Sequence, residues 1–334
     1  MKNPAELVVR THYVSNQHGW ELELRQCYDP HRLNKQLRPV MIIPGYGMNA
    51  FIFSYNPSGV SMEAAWAAAG FDVWSVNLRN QGGSINRGGL KNYTLAEVAT
   101  EDLPVVVASV LKHTVAEQAQ LVDVVGCSLG GTFVYAYLAL NDNPKLGSVV
   151  AIGAPLRWEK IHPLLKVAFS APELLGRLPF YGTQKMARAA FPLIAKFPFV
   201  LRAYLHPEIV DTSSADQLTR AIEDPVPALN RQIGYWMRHR DLVIRGVNIS
   251  QALKQHQNPL LIVIANGDGI VPRETAMSGL DAMGSTNHDV IEIGDTEQAY
   301  AHADLFISNH ADQKIFKPIA DWLLKQESPQ VKQG

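Results

Sequence analysis

Apolar positions in this chain collect into short unbroken runs set apart by helix-length stretches of mixed polarity. The runs are Pro39-Val-Met-Ile-Ile-Pro44, Phe71-Asp-Val-Trp-Ser-Val76, Leu121-Val-Asp-Val-Val-Gly-Cys127, Ser148-Val-Val-Ala-Ile-Gly153, Pro259-Leu-Leu-Ile-Val-Ile-Ala265 and Asp289-Val-Ile-Glu-Ile-Gly294. Continuous apolar runs of this length are what strands covered on both faces require. Two further strands are predicted earlier, Leu7 to Val14 and Trp20 to Tyr28, joined through Gln17-His-Gly19. Helices are predicted around Met62 to Ala69, closed by Gly70, over Leu95 to His113, over Thr132 to Leu140 and over Gln313 to Lys325. Strands alternating with helices predict an α/β fold with a mostly parallel, doubly wound sheet.

One gap breaks the alternation. Between the runs at 148–153 and 259–265 lie about 100 residues without a convincing strand, far more than a crossover needs. The stretch is punctuated by proline and reads as helices over Lys160 to Ala168, Gln184 to Lys196, Phe199 to Leu205, Ala215 to Ile222 and Ala228 to His239. The expectation is a helical cap, residues 156–256, inserted after the sixth strand of a core formed by residues 1–155 and 257–334.

Composition narrows the class. The chain has 334 residues, 47% of them hydrophobic, and a net charge of −1, which gives no electrostatic reason to expect nucleic acid or an anionic membrane surface as partner. The first ten residues lack the apolar core of a signal peptide, and no run of 18 apolar residues occurs. Cys27 and Cys127 make no disulfide framework. A soluble, cytoplasmic protein without stable membrane insertion is expected. No metal-ligand spacing such as H-E-x-x-H or C-x-x-C occurs, so neither metal nor cofactor is expected.

The candidate chemistry starts at Gly126-Cys-Ser128-Leu-Gly130, followed by Gly131 and a helical segment. A serine between glycines, after a strand and before a helix, is the context of a nucleophile elbow, where small neighbours allow a strained, exposed side chain. A serine hydroxyl needs a base, and the base an orienting acid. Asp268 follows the run ending at Ala265, and His302 follows the last strand, so nucleophile, acid and histidine fall in the order that the elbow arrangement requires. His310 lies eight residues beyond His302, His288 precedes the last strand at the wrong end of the sheet, and Asp304 is a fallback acid. The backbone N–H groups of Leu129 and Tyr46 are the expected oxyanion donors, ahead of Met48.

Gly45-x-Gly47-x-x-Ala50 also matches a dinucleotide-binding fingerprint, but the acid at the right distance, Asp72, opens its strand rather than closing it. Cys127 is expected to point into packing.

Pro44-Gly-Tyr-Gly47, Phe71 to Arg79, Gly126 to Gly131, Asp268-Gly-Ile-Val-Pro272 and His302-Ala-Asp304 together resemble the α/β-hydrolase superfamily, over about residues 5 to 326. The stretch Asp72-Val-Trp-x-x-Asn77-x-Arg79 is similar to that of acid lipases and related esterases. The elbow and the large insertion are also similar to polyhydroxyalkanoate synthases, which carry Cys where this chain has Ser128; Pro44 stands where many hydrolases have His-Gly.

The resemblance implies Ser128 as nucleophile, His302 as base and Asp268 as its orienter, acting on a small-molecule ester or acyl substrate through an acyl-enzyme. Apolar residues of the insertion (Leu164, Leu165, Phe169, Leu174, Leu175, Phe180, Phe191, Phe197, Phe199, Tyr204, Tyr235, Trp236 and Met237) supply helix packing, with a surplus to line an acyl tunnel for medium or longer chains. Acyl transfer to a non-water acceptor and a non-catalytic binding role are the alternatives.

Overall fold

The computed structural model describes residues 6–177, 181–194, 202–211, 213 and 215–327, with no account of the side chains at 189–194 and 215–216. The central sheet contains β1 (Val8–Ser15), β2 (Trp20–Tyr28), β3 (Val40–Ile43), β4 (Val73–Asn77), β5 (Ile85–Asn86), β6 (Val122–Cys127), β7 (Leu146–Ile152), β10 (Leu260–Ala265) and β11 (His288–Ile293). A separate hairpin, β8 (Val243–Ile244) with β9 (Val247–Asn248), lies in the segment where no strand is expected from the sequence.

The sheet order is β1-β2-β4-β3-β6-β7-β10-β11, with the two-residue β5 paired to β2. β2 runs antiparallel to β1 and β4, and from β4 to β11 every pairing is parallel. In the central strands β3, β4, β6, β7 and β10 both faces are buried, and successive residues enter opposite cores, as the two-residue period demands. Met41, Ile43, Val124, Ile262 and Ile264 join one core, which includes the helix Leu129–Leu140; Val40, Ile42, Val125, Leu261 and Val263 join the other, with Trp66 and Phe316. This double burial is why the strands read as unbroken apolar runs.

Parallel alignment gathers the carboxyl ends of β3, β6, β7, β10 and β11 at one edge. Ile43 is level with Gly126, Cys127 with Ile152, and Ala265 with Ile293. The loops that follow these strands carry Gly45, Ser128, Gly153, Asp268 and His302.

Several helices differ from expectation. The one expected over 95–113 divides into Leu95–Glu97, a widened π-type turn at Val98–Asp102, and Leu103–His113. The widened turn carries Asp102, whose carboxylate grips buried Arg79 at 2.7 and 2.8 Å. A similar turn, Asp312–Phe316, precedes the last helix, Lys317–Glu327. The elbow helix begins at Leu129, directly after Ser128.

Between β7 and β10 lie the helices Pro163–Ala168, Pro172–Leu175, Thr183–Ile194, Ala215–Leu218 and Pro227–His239. Of the helix expected at Phe199 to Leu205, residues 199–201 lie outside the described residues, and 202–205 form a turn rather than a helix. Leu229, Ile233, Trp236 and Met237 are buried in the same core as the elbow helix. Among the described residues, no helix is long and apolar enough to cross a membrane.

Candidate active site

Ser128 occupies φ +55° and ψ −125°, a conformation an L-residue adopts only where its surroundings enforce it. The enforcement is steric. A Cβ on Gly126 would lie 2.4 Å from Gly131 Cα, one on Gly130 2.3 Å from the Ile43 carbonyl oxygen, and one on Gly131 2.3 Å from Ala154 Cβ. The backbone N–H of Ser128 donates to the Ile152 carbonyl at 2.8 Å, tying the turn to the end of β7. These contacts hold the Ser128 side chain out of the sheet, half-buried.

Ser128 Oγ lies 2.9 Å from His302 Nε2, and His302 Nδ1 lies 2.7 Å from Asp268 Oδ2. An ionised carboxylate only accepts, so Nδ1 carries the ring proton and Nε2 is left as the acceptor for the serine hydroxyl. The other carboxylate oxygen of Asp268 accepts the N–H groups of Ile270 and Val271, each at 2.8 Å. These bonds fix its rotamer. His302 and Asp268 are both buried, which strengthens their charge-assisted bond. Gly153, at φ +53°, passes so close that a Cβ there would sit 3.1 Å from His302 Cε1 and 3.4 Å from Asp268 Oδ2.

Other residues singled out from the sequence have different places. Asp304 is fully buried and binds His206: its Oδ2 is 2.7 Å from His206 Nδ1, and its Oδ1 accepts the His206 N–H at 3.0 Å. It also accepts the Ala301 N–H at 2.7 Å. Asp304 thus braces the loop that carries His302 rather than meeting the ring. His310 is exposed, and His288 opens β11 at the far end of the sheet. Asp72 has its carboxylate filled by Gln26 Nε2, Trp74 Nε1, Thr114 Oγ1 and the Val115 N–H, at the end of β4 remote from Gly45. It is committed to structure and offers nothing to a ribose. The Cys127 thiol is fully buried, and that burial pushes its pKa well up, so it stays protonated.

Tyr46 and Leu129 line the same cavity as Ser128, and among the described residues neither backbone N–H has an acceptor. The Gly45 to Asn49 loop is fastened to the inserted segment. Glu223 N–H donates to Gly47 O at 2.8 Å, and Asn49 N–H to Ala221 O at 2.9 Å. The Glu223 carboxylate accepts Asn49 Nδ2 at 2.6 Å and the Gly82 N–H at 2.7 Å. Tyr46 donates its hydroxyl to Asn230 Oδ1, and burial holds the phenol pKa up at about 12.

The sequence profile of the α/β hydrolase fold family matches residues 38–298. The chain belongs to that family. No curated protein matches this α/β hydrolase. Solved structures resemble it across nearly its whole length. An esterase from Exiguobacterium antarcticum aligns with a TM-score of 0.63 at 15% identity, covering 94% of this chain and 100% of that one. A bromoperoxidase from Bacillus anthracis aligns at 0.59 and 17% identity, covering 95% and 99%. The 2-hydroxy-6-oxo-6-phenylhexa-2,4-dienoate hydrolase of Rhodococcus sp. strain RHA1 aligns at 0.59 and 14% identity, covering 96% and 99%. At such identities the likeness concerns the fold, so the chemistry has to be argued from the site.

In this α/β hydrolase the Ser128 hydroxyl opens into a cavity of about 220 Å³. Its walls are apolar and carry no Asp, Glu, Lys or Arg among the described residues. Of the insertion residues named from sequence, Leu165, Phe169, Tyr204, Trp236 and Met237 line it, whereas Leu164, Leu174 and Tyr235 face outward. Phe180, Phe197 and Phe199 lie outside the described residues, as does the side chain of Phe191. Sequence reasoning missed Ile52, Phe53, Pro155, Trp158, Ile233, Ile270, Val271 and Phe306, which also line the cavity. Ile270 and Val271 had a signal: they directly follow Asp268-Gly269 at the mouth of the acid loop.

Proposed function

We propose that this α/β hydrolase is a serine esterase that cleaves carboxylic esters of medium or longer apolar acyl groups through an acyl-enzyme. The observation that carries the reading is the bonded series Ser128–His302–Asp268 opening into an uncharged apolar cavity. His302 Nε2 takes the proton as Ser128 Oγ attacks the ester carbonyl carbon. The tetrahedral oxyanion is received by the N–H groups of Tyr46 and Leu129, each such donor being worth about 10²–10³ in rate. The imidazolium, steadied by Asp268, returns the proton to the departing alkoxide, and the acyl group stays on Ser128. Water, deprotonated by His302, then releases the acid.

An uncharged wall favours hydrocarbon acyl chains, because a buried unpaired charge is costly. The insertion supplies seven of the twenty described residues of that wall, so we assign residues 156–256 the role of a cap that sets chain-length preference.

The test is labelling with a fluorophosphonate, with the adduct located by peptide mass and Ser128→Ala as control, followed by turnover of p-nitrophenyl esters of graded length. Adduct at Ser128 and faster turnover of longer acyl chains are the expected results. A folded protein that neither labels nor turns over any ester removes the proposal.

A further inference from the structure

The net charge of −1 sums two unlike parts. Residues 156–256 carry 14 Lys and Arg against 8 Asp and Glu, a net +6, and the remainder of the chain carries −7. The excess is confined further still. Residues 160–205 hold seven basic side chains and one acidic, Glu173, which by themselves account for the +6.

The same stretch displays the most exposed large apolar side chains. Leu164 is 60% exposed, Val167 74%, Leu174 56%, Tyr181 82% and Met186 66%; elsewhere among the described residues only Leu90 reaches such values. Lys166 and Arg177 are exposed among them. The segment Pro163–Phe169 therefore has two apolar sides. Leu165 and Phe169 face the cavity beside Ser128, while Leu164 and Val167 face out. Apolar surface rimmed by polar groups marks a binding face, and positive charge around it selects the partner.

We infer that the outer surface of residues 160–177 and 181–188 docks reversibly on an anionic lipid surface. Leu164, Val167, Leu174, Tyr181 and Met186 enter the headgroup layer, and the exposed Lys166, Arg177 and Lys185 meet lipid phosphates. A two-fold pairing of this face with itself in a second copy fits poorly, because two stretches of +4 would be brought together. The docking does not depend on hydrolysis, and it needs no membrane-spanning helix.

The test uses the full chain bearing Ser128→Ala, so that no lipid is consumed. It is cosedimented with vesicles of phosphatidylcholine alone and of phosphatidylcholine with an equal share of phosphatidylglycerol. The expected result is binding at least about tenfold stronger to the phosphatidylglycerol vesicles, abolished in roughly 1 M salt, where the Debye length shrinks to about 3 Å. Lys166→Gln and Arg177→Gln should each weaken binding about fivefold. Combined Leu164→Ser, Val167→Ser and Leu174→Ser should weaken it by about tenfold or more. These side chains are exposed, and an unchanged thermal midpoint verifies that the variants fold. Equal binding to both vesicle types, no binding to either, or binding indifferent to the variants would overturn the inference. So would elution of the chain as a dimer that the serine variants dissociate.

Discussion

Gly45→Ala tests how closely the loop after β3 is fitted to Ser128, the proposed nucleophile. A Cβ at Gly45 would lie 2.8 Å from Ser128 Cβ, 3.0 Å from Cys127 O and 3.3 Å from Ser128 Oγ. Ordinary van der Waals contact for such an atom begins near 3.4 Å, so Ser128 and the added methyl must separate by about 0.6 Å. Ser128 cannot yield easily, because its turn is locked by Gly126, Gly130 and Gly131. The loop carrying Tyr46 must retreat instead, and it is held by Glu223, Ala221 and Asn230. A misplacement of about 1 Å costs on the order of 10²-fold in rate, so the shift here predicts kcat lower by about 10- to 100-fold. Overpacking of this kind costs stability by about 1–3 kcal/mol. The assay is steady-state turnover of a p-nitrophenyl ester beside thermal unfolding. Undiminished kcat with an undiminished thermal midpoint would refute the geometric argument, since the extra methyl would then have found room that the structure denies it.

Asp268→Ala should lower kcat by about 10⁴-fold with KM little changed, read from the same ester assay, because His302 loses the partner that fixes its proton on Nδ1. Asp304→Ala leaves the buried His206 ring and the Ala301 N–H without their acceptor, and should cost about 1–3 kcal/mol in urea unfolding together with a fall in kcat, as the His302 loop loosens. Tyr46→Phe strips the partner from the buried Asn230 carbonyl and should cost about 1–3 kcal/mol in the same measurement. Glu327 sits against Arg38 and Asp123; burial first, then the Asp123 charge, raises its pKa from 4.5 to about 7. The folded state therefore keeps a proton that the unfolded chain has lost, and stability falls as pH rises from about 4.5 to 7. Glu327→Gln should flatten that slope in urea titrations across this window, and an unaltered slope would assign it to other groups.

The strands were legible because burial on both sheet faces leaves no polar alternation to blur the runs. Ser128, Asp268 and His302 were legible for a related reason: each lies at the end of such a run or in the loop after it, so order along the chain predicts convergence at one sheet edge. Where burial is one-sided or local, the signal faded. The helix Arg273–Ala282 is hidden in the sequence because Gly279 reads as a breaker, although it is there for close packing; a Cβ on it would fall 2.2 Å from the Tyr135 hydroxyl. The hairpin β8–β9 is only two residues per strand, yet Arg245-Gly246, with φ of +50° and +82°, is a turn signal that could have revealed it. The pair His206–Asp304 spans 98 positions, and no local pattern connects its members.

That last pair changes how the insertion should be regarded. Tyr204 O accepts the Ala303 N–H at 2.7 Å, Ala203 O accepts the Gly269 N–H at 3.0 Å, and His206 binds Asp304. Residues 203–206 are thus stitched to the loops of both His302 and Asp268, while residues 221–223 are stitched to the loop of Tyr46. A cover that only swung over the cavity would need hinges and few bonds to the residues beneath it. Here Tyr204, which lines the apolar cavity, sits in a segment that holds two of its loops in register, and residues 221–223 hold the third. Under the proposed function, substrate selection and the alignment of Ser128, His302 and Asp268 are therefore linked through these hydrogen bonds, and a change made in residues 203–206 to admit a longer acyl chain should be felt in kcat as well as in KM.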